Sequence, residues 1–440
     1  DSWDLFWQTA PMDLLLENPL QSIYYFHAQP PVYNLLGSIV GQLFYSNYLE
    51  VIYTINIVLG ILMVMISGYM LKHLISNSIL TNIILFFIAL YPPLFVWEAH
   101  IIYTHLSAFM VILCIFWILR FSITNQLRYI YLFVIIQNIL ILTRSFFHPI
   151  LLLIGLIIIL FCLPHKRLKV AFWSMIISST TFIFLLKNLV VFGFIGLSSW
   201  QGMNLYNIVA NGYSTSELEA LANEGIIDQI IVEQMVFQLP STYESYGYTE
   251  TSTIPVLNMN DRNNINYVAI SKIYGKNAVI LIKRNPERYL KNILIAFIYY
   301  SRPSTREKAV VPNADLMGLH EQIYKSVIGA YIGPARWELP IMSFVLPIIF
   351  CVYFVQSAIQ GRLSFSRWQL YVRQDMVMVF IFGFIIYGVL VGTFFELDEN
   401  ARFKYLTEIP QLIFITVVIY RLNLRRYVRQ LRLKGTTMPG

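Results

Sequence analysis

Charge is scarce in this sequence. Only 12% of its 440 residues are Asp, Glu, Lys or Arg, against about a quarter in ordinary soluble proteins. Cysteine is scarce too. Cys114, Cys162 and Cys351 all lie in apolar runs, a pattern that builds neither a disulfide framework nor a metal site. No P-loop, no G-x-G-x-x-G after a strand pattern, no H-E-x-x-H, no C-x-x-C and no G-x-S-x-G occurs. ATP-driven transport and Rossmann-type redox chemistry therefore have no support. Nor is there a basic groove for nucleic acid. The net charge of +7 comes from Lys and Arg in short loops and at the C-terminus, where the positive-inside rule places them.

What is abundant is apolar surface. Hydrophobic residues make up 57% of the chain and the mean hydropathy is +0.61. Repeated apolar runs near the ~20 residues that cross a bilayer predict an all-α polytopic membrane protein. The expected spans are 51–71, 79–96, 101–119, 129–143, 149–163, 170–192, 341–359, 376–395 and 405–420. With every basic short loop inside, these nine alternate without conflict, provided that 31–46 does not cross. That stretch carries Asn34, Ser38 and Gln42 at helical spacing, one polar stripe of an amphipathic helix lying in the interface.

The expected division has a first external loop with its interfacial helix at 1–50 and about six transmembrane helices in 51–192. A long external polar region at 193–340, about three more helices in 341–422 and a basic cytoplasmic tail at 423–440 follow. Within the polar region, the run 292–300 is too short to span and is expected to be an interfacial or buried helix. The start on Asp1, with neither Met nor a signal peptide, points to a preceding transmembrane helix outside this sequence.

This topology gathers most ionisable residues outside the basic loops onto one face. Asp1 and Asp4 lie one helical turn apart; such a pair can hold a divalent cation such as Mg or Mn, supply a general base, or simply cap a helix. His27 and Gln29 precede Pro30-Pro31, which bias the segment to an extended form with both side chains on one side. They can bind a polar ligand or dock the loop onto its own helix. Glu98 and His105 share a helix face at the outer end of a span, where an ionisable side chain is costly. Arg144 and His148 flank the next external turn; Arg144 can snorkel to headgroups or bind phosphate. Arg402 and Lys404 stand on the outer face against the positive-inside pattern. Either an anionic ligand or the nearby Glu396, Asp398 and Glu399 explains them.

Asp1 and Asp4, then His27-Ala-Gln29-Pro30-Pro31-Val-Tyr33-Asn34, resemble the first external loop of GT-C type glycosyltransferases. The likeness is to the bacterial members related to protein O-mannosyltransferases and lipid A aminoarabinose transferases. Glu98 after Pro92-Pro93 resembles their acid at the second external turn. Glu399-Asn-Ala-Arg402-Phe403 resembles their late E-x-x-R-[FY] pattern, associated with carrier phosphate. Here Asp1 and Asp4 are separated, where many relatives carry adjacent acids.

The resemblance implies a GT-C-like helical bundle with external juxtamembrane helices and a long external loop region. It implies sugar transfer, expected to be inverting, from a polyprenyl-phosphate-linked donor to a glycan, lipid or protein acceptor, on the external face of a bacterial inner membrane. Asp1 or Asp4 would be the catalytic acid, with or without a divalent cation. His27, Gln29, Tyr33, Glu98, His105, Arg144, His148, Arg402 and Lys404 would bind substrate. Rival readings are a lipid-linked polysaccharide polymerase or ligase, and a transporter or flippase. The latter wants charges at mid-membrane and internal repeats, and the spans show neither.

Overall fold

A computed structural model describes residues 3–259, 262–302, 375–397 and 399–435, with shorter stretches between 304 and 355; side chains are described as far as 423. The chain is an all-α polytopic membrane protein. Among the described residues the only strand pairing is a short antiparallel ladder, Tyr331–Ile332 against Leu339–Pro340.

Three short helices come first: α1 (Met12–Glu17), α2 (Pro19–Tyr25) and α3 (Val32–Leu43). Then follow α4 (Tyr48–Leu74), α5 (Ser78–Ala89), α6 (Pro92–Glu98) and α7 (Thr104–Thr124). Next are α8 (Arg128–Thr143), α9 (Pro149–Cys162) and α10 (Arg167–Phe192). The polar region contains α11 (Gln201–Ala210), α12 (Thr215–Asn223), α13 (Ile230–Glu233), α14 (Asn266–Arg284) and α15 (Pro286–Ser301). The last described helices are α16 (Met376–Phe394) and α17 (Asn400–Gly435).

Local chemistry sets many of these boundaries. Proline, which has no N–H to lose and a helical φ, stands in the first turn of α2, α6, α9 and α15. Side chains of Asn77, His148, Ser214 and Asn285 cap α5, α9, α12 and α15. Gly193, at φ 67°, closes α10 in the left-handed conformation that costs glycine least.

Six helical stretches are long and apolar enough to cross a bilayer: Tyr48–Leu74, Ser78–Glu98, Thr104–Thr124, Arg167–Phe192, Met376–Phe394 and Arg402–Asn423. They divide by burial. The apolar windows of the third, fifth and sixth are 56–61% buried, against 28% for the others. So α7, α16 and α17 form the centre, while α4, α5 and α10 turn apolar side chains such as Ile61, Phe86 and Ile183 outward.

Several expectations need adjustment. The 79–96 span is two helices, because Pro92 and Pro93 force a restart after Leu90 and Tyr91. The 129–143 and 149–163 runs are helical but shorter than the six long stretches. The expected span 341–359 lies mostly outside the described residues. The tail is no separate unit, since α17 continues to Gly435. The run 292–300 lies in α15, with Ala296 and Tyr300 buried.

Two of the three polar residues of the α3 stripe, Asn34 and Ser38, are buried against the protein, whereas Gln42 is exposed. Asn34 accepts the Ala10 N–H at 2.9 Å and Ser38 donates to the Leu15 carbonyl at 3.0 Å. The exposed face is Leu35, Ile39 and Leu43. Asn34 and Ser38 thus serve as internal hydrogen-bond partners for the amino-terminal segment.

The helices α11 and α14 cross closely. A Cβ on Gly202 would stand 1.8 Å from the Ser271 carbonyl oxygen. The Ser271 hydroxyl accepts the Gly202 and Met203 N–H groups at 3.0 and 3.4 Å, so α14 supplies the start of α11 with its acceptor. Gly202→Ala is expected to lower stability by roughly 1–3 kcal/mol through overpacking. Gly383→Ala, inside α16 with nothing within 4 Å, is expected to leave stability no lower, or to raise it by up to about 1 kcal/mol. Thermal unfolding in detergent compares the two.

Candidate functional site

The amino-terminal segment is pinned at many points. Trp3 is fully buried, stacks on Tyr33 at 5.1 Å and donates its indole N–H to the Ala10 carbonyl at 2.8 Å. Its ring fills the space left by Gly37, where a Cβ would come within 2.3 Å. One oxygen of Asp4 accepts the Met12 N–H at 2.9 Å, which caps α1. Arg262, in the left-handed region at φ 37°, donates to the carbonyls of Asp4 (2.8 Å), Phe6 (3.0 Å) and Thr9 (3.3 Å).

The second half of the loop is held the same way. The Asn263 side-chain oxygen accepts the His27 and Ala28 N–H groups at 2.7 and 3.0 Å. His27 is fully buried, with Nδ1 at 2.7 Å from the Ser199 hydroxyl and its ring edge-on to Phe192. Gln29 accepts from the Ser145 hydroxyl at 2.8 Å. His27 and Gln29 therefore engage different neighbours, and each docks the loop onto the bundle.

Beside this segment stands the turn after α6. Asn56 on α4 donates to the carbonyls of Glu98 and His100 at 3.2 and 3.1 Å. The Glu98 carboxylate lies over Gly60, whose missing side chain leaves it room. Trp97 stacks on Tyr405 at 5.5 Å, and the Tyr405 hydroxyl lies 2.9 Å from His105 Nδ1. Glu98, His105 and the start of α17 thus meet at one end of the bundle.

Arg144 is the most unusual residue there. It is 1% exposed, and its guanidinium carbon lies 4.5 Å from the Phe403 ring centre, 5.1 Å from Tyr103 and 5.6 Å from Phe146. Both terminal nitrogens lack a hydrogen-bond acceptor among the described residues. Arg402 faces two of the same rings, Tyr103 and Phe403, and pairs with Glu399. Burial, and then the Arg402 charge, push the Arg144 guanidinium down to about 10; it stays cationic at neutral pH.

A cavity of about 230 Å³ opens onto Arg402 and Glu399. Leu5 to Gln8 form one wall, and Trp97, His100 and Ile102 another. The amino-terminal segment, the second turn and the last turn therefore share one cavity. Its charged lining is the Arg402–Glu399 pair; a guanidinium such as that of Arg402 offers paired donors in the geometry of phosphate or carboxylate.

Other expected residues are placed elsewhere. His148 is exposed and caps α9 through Nδ1. Lys404 is 2% exposed; it donates to the Ser301 and Arg302 carbonyls at 3.3 and 2.8 Å and pairs with Glu408 at 3.3 Å. That places a cation at the carboxyl end of α15, where the helix dipole favours it. Tyr33 serves the aromatic packing around Trp3 and Tyr103. Asp1 lies outside the described residues, so the paired-acid cation site falls partly outside them. Asp4 gives one oxygen to the α1 cap, and among the described residues no three His, Cys, Asp or Glu side chains converge on a metal position.

The sequence reading missed Tyr103 and Phe146, and named Phe403 only as part of a pattern; the three build the walls around Arg144. Their signal was adjacency to already suspected residues. It also missed Arg262 and Asn263, which no local pattern links to a loop over two hundred residues earlier. A scan of protein-family models finds no match to this chain, and searches of the curated proteins and of the solved structures find none either.

Burial, and then the Lys187 charge, push the His27 imidazole from its ordinary 6.5 down to about 3. The unfolded chain therefore binds this proton more readily, so the contribution is intact above 6.5 and is lost as pH falls toward 3. Between pH 7 and pH 5 the expected loss is about 2 kcal/mol. Denaturation of wild type and His27→Gln at both pH values isolates it: the variant should lack this part of the acid sensitivity.

Proposed function

We propose that this chain is a GT-C type membrane glycosyltransferase. It moves a sugar from a polyprenyl-phosphate carrier to an acceptor hydroxyl at the cavity beneath the amino-terminal segment. The observation that carries this reading is Arg144: a buried cation whose two terminal nitrogens have no acceptor among the described residues, and which shares the rings of Tyr103 and Phe403 with Arg402, the arginine that lines the cavity. A buried charge without a hydrogen-bonding partner is costly, and the leaving phosphate of such a donor is the anion that offsets it.

In this reading the acceptor oxygen attacks the anomeric carbon from the side opposite the phosphate. The carbon–oxygen bond to phosphate breaks, and its electron pair stays on the phosphate oxygen. Arg144 and Arg402 stabilise the charge that develops there, in a site with little competing water. The acceptor proton passes to an amino-terminal carboxylate, Asp1 or Asp4. Glu98 and His105 sit at the same end of the bundle and orient sugar or acceptor. The aromatic walls around Arg144 keep water from the reacting centre.

Transfer of labelled sugar from polyprenyl phosphate in proteoliposomes tests this. Arg144→Gln and Arg402→Gln are each expected to reduce turnover by roughly a hundredfold or more, the usual effect of losing one charge-stabilising donor. Asp1→Asn and Asp4→Asn combined should abolish transfer. Full activity in the arginine variants, or in the double aspartate variant, would sink the proposal. Preference for a diphosphate carrier would instead favour a polysaccharide polymerase or ligase.

A further inference from the structure

At the end of the bundle away from the cavity, α4, α7 and α8 bring together two arginines, two tyrosines and a tryptophan. Arg120 lies about 22 Å along α7 from His105, at 1.5 Å per residue. Its Nη1 donates to the Tyr69 hydroxyl at 2.5 Å and its Nη2 to the Tyr129 hydroxyl at 3.3 Å. Arg128 donates to that same Tyr129 oxygen at 3.0 Å.

Two like charges therefore converge on one phenol. Neither arginine has a carboxylate partner among the described residues. Each phenol oxygen is occupied as an acceptor, so its own O–H is left to donate, and no acceptor for it stands among the described residues. Trp117 stacks on Tyr129 at 5.6 Å and carries a buried indole N–H that also lacks an acceptor. Guanidinium, phenol and indole groups together call for a ligand that is anionic and rich in acceptors.

Position narrows the source. Met65 lies one turn from Tyr69 toward the membrane interior, and Ile135 two turns from Arg128 in the same direction; both are exposed. Apolar tracks thus run from the cluster along the outer faces of α4 and α8. We propose that Arg120, Arg128, Tyr69 and Tyr129 form a binding site for the phosphate of an anionic phospholipid headgroup, with its acyl chains against Met65 and Ile135. The lipid phosphate accepts from both guanidiniums and takes the phenol protons as hydrogen bonds, while the chains cover the apolar tracks.

Native mass spectrometry of the full chain, titrated with phosphatidylglycerol, phosphatidylcholine and inorganic phosphate, tests the site. Wild type should retain phosphatidylglycerol in preference to phosphatidylcholine, and inorganic phosphate should not displace it. The Arg120→Gln, Arg128→Gln double variant should bind phosphatidylglycerol roughly thirtyfold more weakly, from the worth of two basic side chains at an anionic surface. Arg128 is exposed, so Arg128→Gln alone keeps the fold and should weaken binding roughly fivefold. Unchanged phosphatidylglycerol binding in Arg128→Gln overturns the proposal, as does equal binding of the two lipids by wild type. Displacement by inorganic phosphate would assign the cluster to a soluble anion and overturn the lipid assignment.

Discussion

A cation held out of water, its terminal nitrogens without an acceptor among the described residues, is the constraint around which the candidate site is arranged. Arg144 sits against the rings of Tyr103, Phe146 and Phe403. Aromatic faces recover part of its lost solvation. They cannot replace hydrogen bonds to the two terminal nitrogens. Arg402 beside it adds repulsion, which Glu399 relieves for Arg402 by direct pairing. Tyr387 holds the turn behind Arg144 in shape: its hydroxyl accepts the His148 N–H and donates to the Phe146 carbonyl, both at 2.6 Å. The two guanidiniums are thus held in place by the fold, Arg402 at the cavity with Glu399 and Arg144 behind it among the rings.

The second requirement is that the amino-terminal segment stay in place over that cavity. Outside the short helices α1 and α2 it has little regular structure, so its backbone groups there need partners from elsewhere. Arg262 and Asn263 provide several from the polar region, Asn34 and Ser38 provide others from α3, and Ser198 donates to the Ala28 carbonyl at 2.5 Å. The polar region is therefore a scaffold of helices that fixes the first loop. Trp200, donating to the Arg262 carbonyl at 3.1 Å, ties the two parts of this scaffold together.

The same residue types served different ends depending on neighbours distant in sequence. Arg402 and Lys404 looked equivalent, yet one borders the cavity and the other pairs with Glu408 and the end of α15. Residues two apart on a helix point to different sides, and only the packing of α15 and α16 decides which side is the cavity. Arg144 and His148 likewise flank one turn, but His148 turns outward to cap α9. The α3 stripe was legible as periodicity; whether it met water or protein was not, because buried polar groups and solvated ones have the same spacing.

Composition and periodicity alone determined that this chain is a polytopic helical membrane protein, since apolar runs of spanning length have few other stable forms. The residues that break and cap the helices, such as Pro92-Pro93, Asn77 and Gly193, lie within one turn of the ends they set, although 79–96 reads as one span in the sequence. Only the tertiary structure decided which polar side chains meet. The convergence of residues 5–8, 97–102 and 399–402 on one cavity, and the hold of Arg262 on the first loop, depend on contacts across hundreds of residues. A linear pattern carries no information about such contacts, because helix packing brings together positions whose sequence separation is arbitrary.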